Sequence, residues 1–309
     1  EKTKLQKIQD NLLHYLANTG FNEIYTYSFY NAKELDKVNL KPESSLIKEQ
    51  IQLKNPLNDD YTTMRTTMIP GMLQALSFNN SKKNKDVCLF ELARVYRNKN
   101  NIISEDKLPE EENMLTIGMY GNNVDFYVIK GIIENILEVV NIKKYEVKKE
   151  ENNTIYHPGR TANIMIGKDA IATFGEIHPI VRENYDIKEK VYVAEISIDK
   201  LTRYSKEAKS YVAIPKFPAV ERDLAIIVDD EIENATIEKI ITKKAKEILE
   251  KVQLFDMYKS DKLGKGKKSL AYSLIFRSNE KTLNDEQIAN TMKDIIGALE
   301  QEVSAELRK

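Results

Sequence analysis

The chain has 309 residues, 41% of them hydrophobic and 31% charged, and its 47 basic and 48 acidic residues leave a formal net charge of −1. That balance excludes a globally basic nucleic-acid binder while leaving room for a local basic face. No apolar run approaches the ~18 residues that span a bilayer, and the single cysteine, Cys88, excludes an internal disulfide and fits a reducing compartment.

A chain of 309 residues is long for one core, so two domains are expected. It opens without an initiator Met or an apolar leader, which predicts a fragment of a longer chain, no signal peptide and a cytoplasmic location. The first helix is expected over 3–18, with Leu5, Ile8, Leu12, Leu13 and Leu16 on one face and Gly20 ending it. Residues 24–30 alternate as a strand, and 51–53 form a short one closed by Asn55-Pro56. Pro70 and Gly71 open a helix carrying Met72, Leu73 and Leu76. A strand follows at 87–92, with Cys88 read as a small buried hydrophobe. A mobile loop is expected over 98–113, a strand over 114–120, and a helix whose face runs from Phe126 through Ile129, Ile133 and Ile136 to Val140.

Short strands are expected at 161–166, 170–177 and 191–198. Runs of strands mixed with helices, without regular alternation, favour an antiparallel α+β sheet over a doubly wound parallel one. The polar stretch 202–210 is the expected linker. Beyond it the pattern is strand (223–229), helix (235–251), strand (252–258), hairpin turn (260–267), strand (269–277), helix and short terminal strand (303–307). Asn284 with Gln287 three residues on predicts a capping box for the last helix. This βαββαβ order is the ferredoxin-like split βαβ unit, which leaves one sheet face uncovered.

The residues alone offer little chemistry. His14, His157 and His178 do not pair at metal-ligand spacing, so no metal site is expected and hydrogen-bonding roles are. Gly264-Lys265-Gly266-Lys267 sits in a hairpin instead of between a strand and a helix, which fits a solvated turn better than a phosphate cradle. No nucleophile–base or paired-carboxylate arrangement stands out.

Several segments together resemble the β-subunit family of bacterial phenylalanyl-tRNA synthetases. They are Asn55-Pro56-Leu57, Met64-Arg65-Thr66-Thr67-Met68-Ile69-Pro70-Gly71-Met72-Leu73, Leu89-Phe90-Glu91-Leu92-Ala93-Arg94-Val95-Tyr96, Tyr156-His157-Pro158-Gly159-Arg160-Thr161-Ala162 and Gly175-Glu176-Ile177-His178-Pro179. Lys216 to Asp230, Leu254-Phe255-Asp256-Met257-Tyr258, Lys268-Ser269-Leu270-Ala271-Tyr272 and Ala305-Glu306-Leu307-Arg308 continue the series to the end of the chain. The order and spacing of these motifs, more than any one of them, carry the resemblance.

The resemblance implies a catalytically silent class II synthetase-like antiparallel module over 1–203, a linker over 204–213 and a ferredoxin-fold anticodon-binding domain over 214–309. It implies a noncatalytic part of a phenylalanine–tRNA ligase in an α₂β₂ assembly, inactive alone, with the catalytic α subunit and tRNA-Phe as partners and neither membrane nor DNA. No cofactor is expected on this fragment; the holoenzyme is expected to use ATP and Mg²⁺, with editing domains upstream. Arg65, Glu91 and Arg97 fall where such enzymes hold ATP, but 191–201 lacks the glycines and the arginine of the second ATP-binding element, hence the silence.

Arg65, Pro70, Met72 and Leu76 are the expected contacts to the α subunit. Phe217, Arg222, Ser273, Arg277, Ser278 and Lys281 are expected to meet RNA, with Lys268 on phosphate, because unstacked bases need aromatic or guanidinium surfaces and phosphates need cations. A pure assembly scaffold, or a ferredoxin-like module that senses an amino acid, are the alternatives.

Overall fold

The computed structural model describes residues 1–56, 58–99, 108–206, 211, 213–260 and 263–308. The chain divides into two compact units, Glu1–Lys209 and Ser210–Lys309.

In the first unit, helix α1 (Lys4–Asn18) starts at Thr3 with a capping box to Gln6. Two two-residue strands, β1 (Asn22–Glu23) and β2 (Phe29–Tyr30), replace the single strand expected over 24–30. The intervening chain leaves the ladder because the Thr26 N–H and hydroxyl donate to the Glu91 carboxylate at 3.0 and 2.7 Å. Short helices α2 (Glu34–Lys37) and α3 (Ser45–Lys48) lead to strands β3 (Ile51–Gln52) and β4 (Thr63–Met64), which complete a small sheet in the order β2-β4-β3. Helix α4 (Ile69–Ser81) carries Pro70 in its first turn, where the missing N–H costs nothing.

The main sheet is built from β5 (Val87–Arg97), β6 (Glu110–Tyr120), β7 (Glu146–Lys149), β8 (Tyr156–Ile166), β9 (Asp169–Ile177) and β10 (Tyr192–Ser197). With β1 it has seven strands in the order β1-β5-β6-β10-β9-β8-β7, antiparallel except where β1 joins β5. Helices α5 (Phe126–Val139), α6 (Pro179–Asn184) and α7 (Ile198–Tyr204) fill the connections.

One face packs α1, α5 and α7 through Leu12, Leu16, Ile133, Ile136 and Leu201 onto Phe90, Ile117, Phe174 and Ile196. The other packs α4 through Met72, Leu73 and Leu76 onto Leu89 and Val193. Gly118 permits that approach: a Cβ there would lie 2.6 Å from Met72 side-chain atoms. The loop expected over 98–113 is corrected at its end, since 110–113 belong to β6; residues 100–107 lie outside those described. The first residues of the expected linker, 202–204, finish α7, while 207–210 and 212 lie outside the described residues.

The second unit runs β11 (Val220–Asp229), α8 (Asn234–Ala245), β12 (Leu249–Tyr258), β13 (Lys267–Phe276), α9 (Asp285–Val303) and β14 (Glu306–Leu307), with sheet order β12-β13-β11-β14. The helix expected to reach 251 ends at Ala245, because Lys246 takes a positive φ of 54° and one 3₁₀ turn leads straight into β12. Both helices cover one face. Leu224, Ile226 and Val228 of β11 and Leu270, Tyr272, Leu274 and Phe276 of β13 meet Ile237, Ile241, Ile295 and Leu299 there. The capping box of α9 forms between Asn284 and Gln287.

Candidate RNA and partner surfaces

Strand register decides which side chains share the uncovered face of the second unit. Across β11 and β13 the pairs Glu221–Ile275, Asp223–Ser273, Ala225–Ala271 and Ile227–Ser269 lie on it. On β12, Lys251, Gln253, Asp256 and Tyr258 pair with Ile275, Ser273, Ala271 and Ser269 and share that face.

Of the seven expected RNA contacts, Ser273 lies on this face, its hydroxyl donating to Glu221 at 2.6 Å. Lys281 is exposed and makes no ion pair among the described residues. The structure places the others off this face or ties them to neighbouring groups. Arg222 shares the parity of buried Leu224, so it points to the helix side, where it pairs with Asp285 in the first turn of α9 at 3.2 Å. Lys268, opposite buried Val228, donates to the Asp230 carbonyl at 2.8 Å, and burial lowers the pKa of its ammonium. Arg277 is a clip: it donates to Glu250 at 2.5 Å and to the Phe217 carbonyl at 3.0 Å, and its own N–H meets the Ile248 carbonyl at 2.8 Å. Phe217 is half-buried beside that clip, and the Ser278 hydroxyl accepts from the Glu280 N–H at 3.2 Å, closing its own turn.

Two residues missing from the expected set stand on the open face. Tyr258 is 45% exposed, and the Arg308 guanidinium lies 5.8 Å from its ring centroid. Arg308 is held by its N–H to the Ala225 carbonyl at 3.0 Å and by its side chain to the Ser269 hydroxyl at 3.2 Å. Glu221, Asp223 and Asp256 make the middle of the face acidic. Both motifs, Leu254 to Tyr258 and Ala305 to Arg308, were visible in the sequence; the register that brings them together was not.

In the first unit, the four residues expected to contact the α subunit are corrected to internal roles. Pro70, Met72 and Leu76 are buried in the core under α4. Arg65 is buried too: it donates to the Arg94 carbonyl at 2.8 Å, to the Thr26 hydroxyl at 2.9 Å and to Glu91 at 3.2 Å.

The exposed surface near them is aromatic instead. Tyr25, Tyr27 and Phe78 are 85%, 69% and 62% exposed. Tyr27 stacks at a tilt on Tyr61 with centroids 4.8 Å apart. Tyr27, Tyr61, Phe29, Arg65 and Gln74 line a recess of about 250 Å³. Phe78 lies one helical turn beyond Gln74 on the same face of α4.

Where an ATP-holding second element would lie, β10 leads into α7 through Ser197, which caps the helix by accepting from the Lys200 N–H at 3.3 Å. The nearby Glu195 accepts from Thr67 and from the Met68 N–H, both at 2.8 Å, and burial raises its pKa. The His157 and His178 Nδ1 atoms accept from the Gly159 and Ile180 N–H groups at 3.1 and 3.2 Å. Among the described residues no group of three or more His, Cys, Asp or Glu is placed to hold a metal ion, and no helix is long and apolar enough to cross a membrane.

A largely antiparallel sheet with helices on both faces, followed by a ferredoxin-like unit, defines a class II synthetase-like architecture. The structure superposes on a pyrrolysyl-tRNA synthetase from Desulfitobacterium hafniense with a TM-score of 0.54, covering 67% of this chain and 75% of that one; at 17% identity the likeness is one of fold. The chain belongs to the phenylalanyl tRNA synthetase beta chain family: residues 1–198 match its CLM domain, and residues 215–308 match the ferredoxin-fold anticodon binding domain. It is 44% identical over 309 residues to the phenylalanine–tRNA ligase beta subunit of Clostridium tetani and 40% identical over 307 residues to that of Clostridium acetobutylicum. Each match covers 99% of this chain, which spans 38% of the length of each of these relatives.

Proposed function

We propose that the chain is a noncatalytic part of a phenylalanine–tRNA ligase β subunit whose second unit binds the tRNA-Phe anticodon on its open sheet face. The observation that carries this reading is the Tyr258–Arg308 pair, an aromatic ring and a guanidinium on an uncovered sheet. A base splayed from the loop finds a stacking surface there. Glu221, Asp223 and Asp256 repel phosphate but accept from base amino and imino groups, so the bases face the sheet and the backbone runs outside it, toward cations such as Lys251 and Lys281. Tyr258→Ala is expected to weaken binding of a tRNA-Phe transcript by about 5- to 150-fold, the equivalent of the ~1–3 kcal/mol of one stacked base. An unchanged Kd by fluorescence anisotropy sinks the reading in favour of the scaffold alternative.

The first unit, in the same proposal, is catalytically silent and docks the catalytic α subunit. Arg65 supports the silence, because its bonds to Glu91, Thr26 and the Arg94 carbonyl already commit it. ATP and Mg²⁺ then belong to the α subunit, in a cytoplasmic α₂β₂ enzyme. Phenylalanine-dependent ATP–pyrophosphate exchange by this chain alone contradicts that. The docking surface moves from the buried residues to exposed Tyr25, Tyr27 and Phe78 with half-buried Tyr61, since aromatic residues are what interfaces bury. Tyr27→Ala with Phe78→Ala is expected to abolish co-purification with the α subunit.

A further inference from the structure

The motif Tyr156-His157-Pro158-Gly159-Arg160-Thr161 has no part in the reading above, yet it is the most constructed irregularity in the main sheet. Tyr156 pairs with Ile177 and Thr161 with Gly175, so five residue steps of β8 face two of β9. The three extra residues form a special bulge, larger than the usual one-residue insertion. It is tied internally: the Thr161 hydroxyl donates to the His157 carbonyl at 2.6 Å and the Gly159 N–H to His157 Nδ1 at 3.1 Å. It is pressed onto the sheet so closely that a Cβ on Gly175 would lie 2.3 Å from the Arg160 carbonyl oxygen. The outer neighbour β7 pairs β8 only from Ala162 onward, which leaves the bulge at an unpaired corner of the sheet.

Arg160 stands at this corner. Its Nη1 donates to Glu176 Oε2 at 2.7 Å, and that carboxylate is 6% exposed. The same oxygen accepts from Tyr192 OH at 3.3 Å, and burial with the adjacent Glu176 charge pushes the Tyr192 phenol up to about 12. A buried acceptor thus fixes one nitrogen of a guanidinium whose side chain remains 45% exposed. The Nε and Nη2 edge makes no bond among the described residues. His157 adds a second donor: with Nδ1 accepting from Gly159, the ring N–H is the one on Nε2. An ordinary surface ion pair contributes little and needs no bulge to form.

We propose that this bulge is a second RNA contact, in which the Arg160 fork and His157 Nε2 clamp a backbone phosphate. A planar guanidinium edge held in one orientation matches two oxygens of an oxyanion. Glu176 offsets the charge of Arg160, so a free anion gains little there; a phosphate on an RNA already held elsewhere on the chain gains from proximity. To that extent the inference rests on the anticodon reading of the second unit.

The test uses the whole chain, a tRNA-Phe transcript and the anticodon stem-loop alone, with binding measured against KCl concentration. Arg160→Ala is expected to weaken transcript binding on the order of tenfold and to reduce its salt slope by about one, leaving stem-loop binding unchanged. Arg160→Lys is expected to keep the slope and lose part of the affinity. Melting curves report folding, and Glu176→Gln supplies the contrast. If Arg160→Ala and Glu176→Gln lower the melting temperature alike while transcript binding stays as in wild type, the pair is structural and the proposal falls. Arg160-dependent capture of an acidic peptide, with RNA binding untouched, also overturns it. An Arg160-dependent slope on the transcript, with no stem-loop binding by the wild type, keeps the clamp and removes the anticodon reading instead.

Discussion

Replacing Glu91 with Ala tests the node on which the first unit is organised. The Glu91 and Arg65 side chains are 3% and 4% exposed, and the carboxylate accepts from Arg65 and from both donors of Thr26. Glu91→Ala leaves a guanidinium buried without a counter-charge and strips the Thr26 N–H of its acceptor. Removing one partner of a buried pair costs about 3–5 kcal/mol, and the orphaned amide places this case toward the upper end. For a unit of this size, ~2–4 °C per kcal/mol converts that to a fall of roughly 6–20 °C in Tm. The chain has no Trp, so far-UV circular dichroism during heating and urea titration is the assay. A double variant, Arg65→Met with Glu91→Leu, is expected to recover the part of the loss due to the unpaired charge, because apolar residues of similar volume replace a buried pair at little net cost; the part due to the Thr26 N–H remains, since leucine offers it no acceptor. A loss below ~1 kcal/mol for Glu91→Ala, the range of solvated surface pairs, would refute the burial on which the reasoning depends.

Three further outcomes are expected. Gly175→Ala should destabilise the first unit by about 1–3 kcal/mol, read as a lower urea midpoint, since its Cβ meets backbone 2.3 Å away that cannot swing aside. Asn284→Ala should cost about 1 kcal/mol by opening the capping box of α9, visible as faster amide exchange in the first turn of that helix. Glu195 has a pKa raised above its ordinary 4.5 by burial, so the folded state binds its proton more tightly than the unfolded state. Its contribution is therefore fully present below 4.5 and is lost as pH rises through the folded value. Glu195→Gln, which keeps an acceptor for Thr67 and Met68, should gain on wild type in urea midpoint between pH ~4 and pH ~8; a gap that narrows as pH rises contradicts this.

How legible each feature was depended on whether period alone determines it. Helices α1, α4 and α5 announce themselves at three- and four-residue spacing, and strict alternation from Leu270 to Phe276 places β13 correctly on its helices. Arg222 and Lys268 share the parity of Leu224 and Leu270, but at strand ends they read as free cations because the acceptors that engage them come from other segments. Tyr258 was hidden by a different mechanism. Simple alternation along β12 puts it beside Leu254, under the helices. A register shift between Leu254 and Asp256 turns the strand by one residue and moves Tyr258 to the open face. The α4 residues failed for a third reason: an apolar helical stripe is core by default, and the outward positions of α4, Gln74 and Phe78, break the pattern that drew attention to the helix.

The register of the main sheet also brings together polar side chains that the helical and strand periods do not reveal. Glu91, Thr116 and Glu195 stand opposite one another across β5, β6 and β10, a polar row in the middle of a sheet face. Here Glu91 is taken by Arg65 and Thr26, and Glu195 by Thr67 and by the N–H of Met68, the N-cap residue of α4. Both ties end at the aromatic surface. Thr26 sits between Tyr25 and Tyr27, and it packs against α4 at Gly71, where a Cβ would lie 2.9 Å from its hydroxyl. The carboxylates therefore fix the segment that carries two exposed rings against the helix that carries a third. If the aromatic surface docks an α subunit as proposed, Glu91→Ala should weaken that association as well as stability, and at temperatures where the variant is still folded the two effects are measured apart.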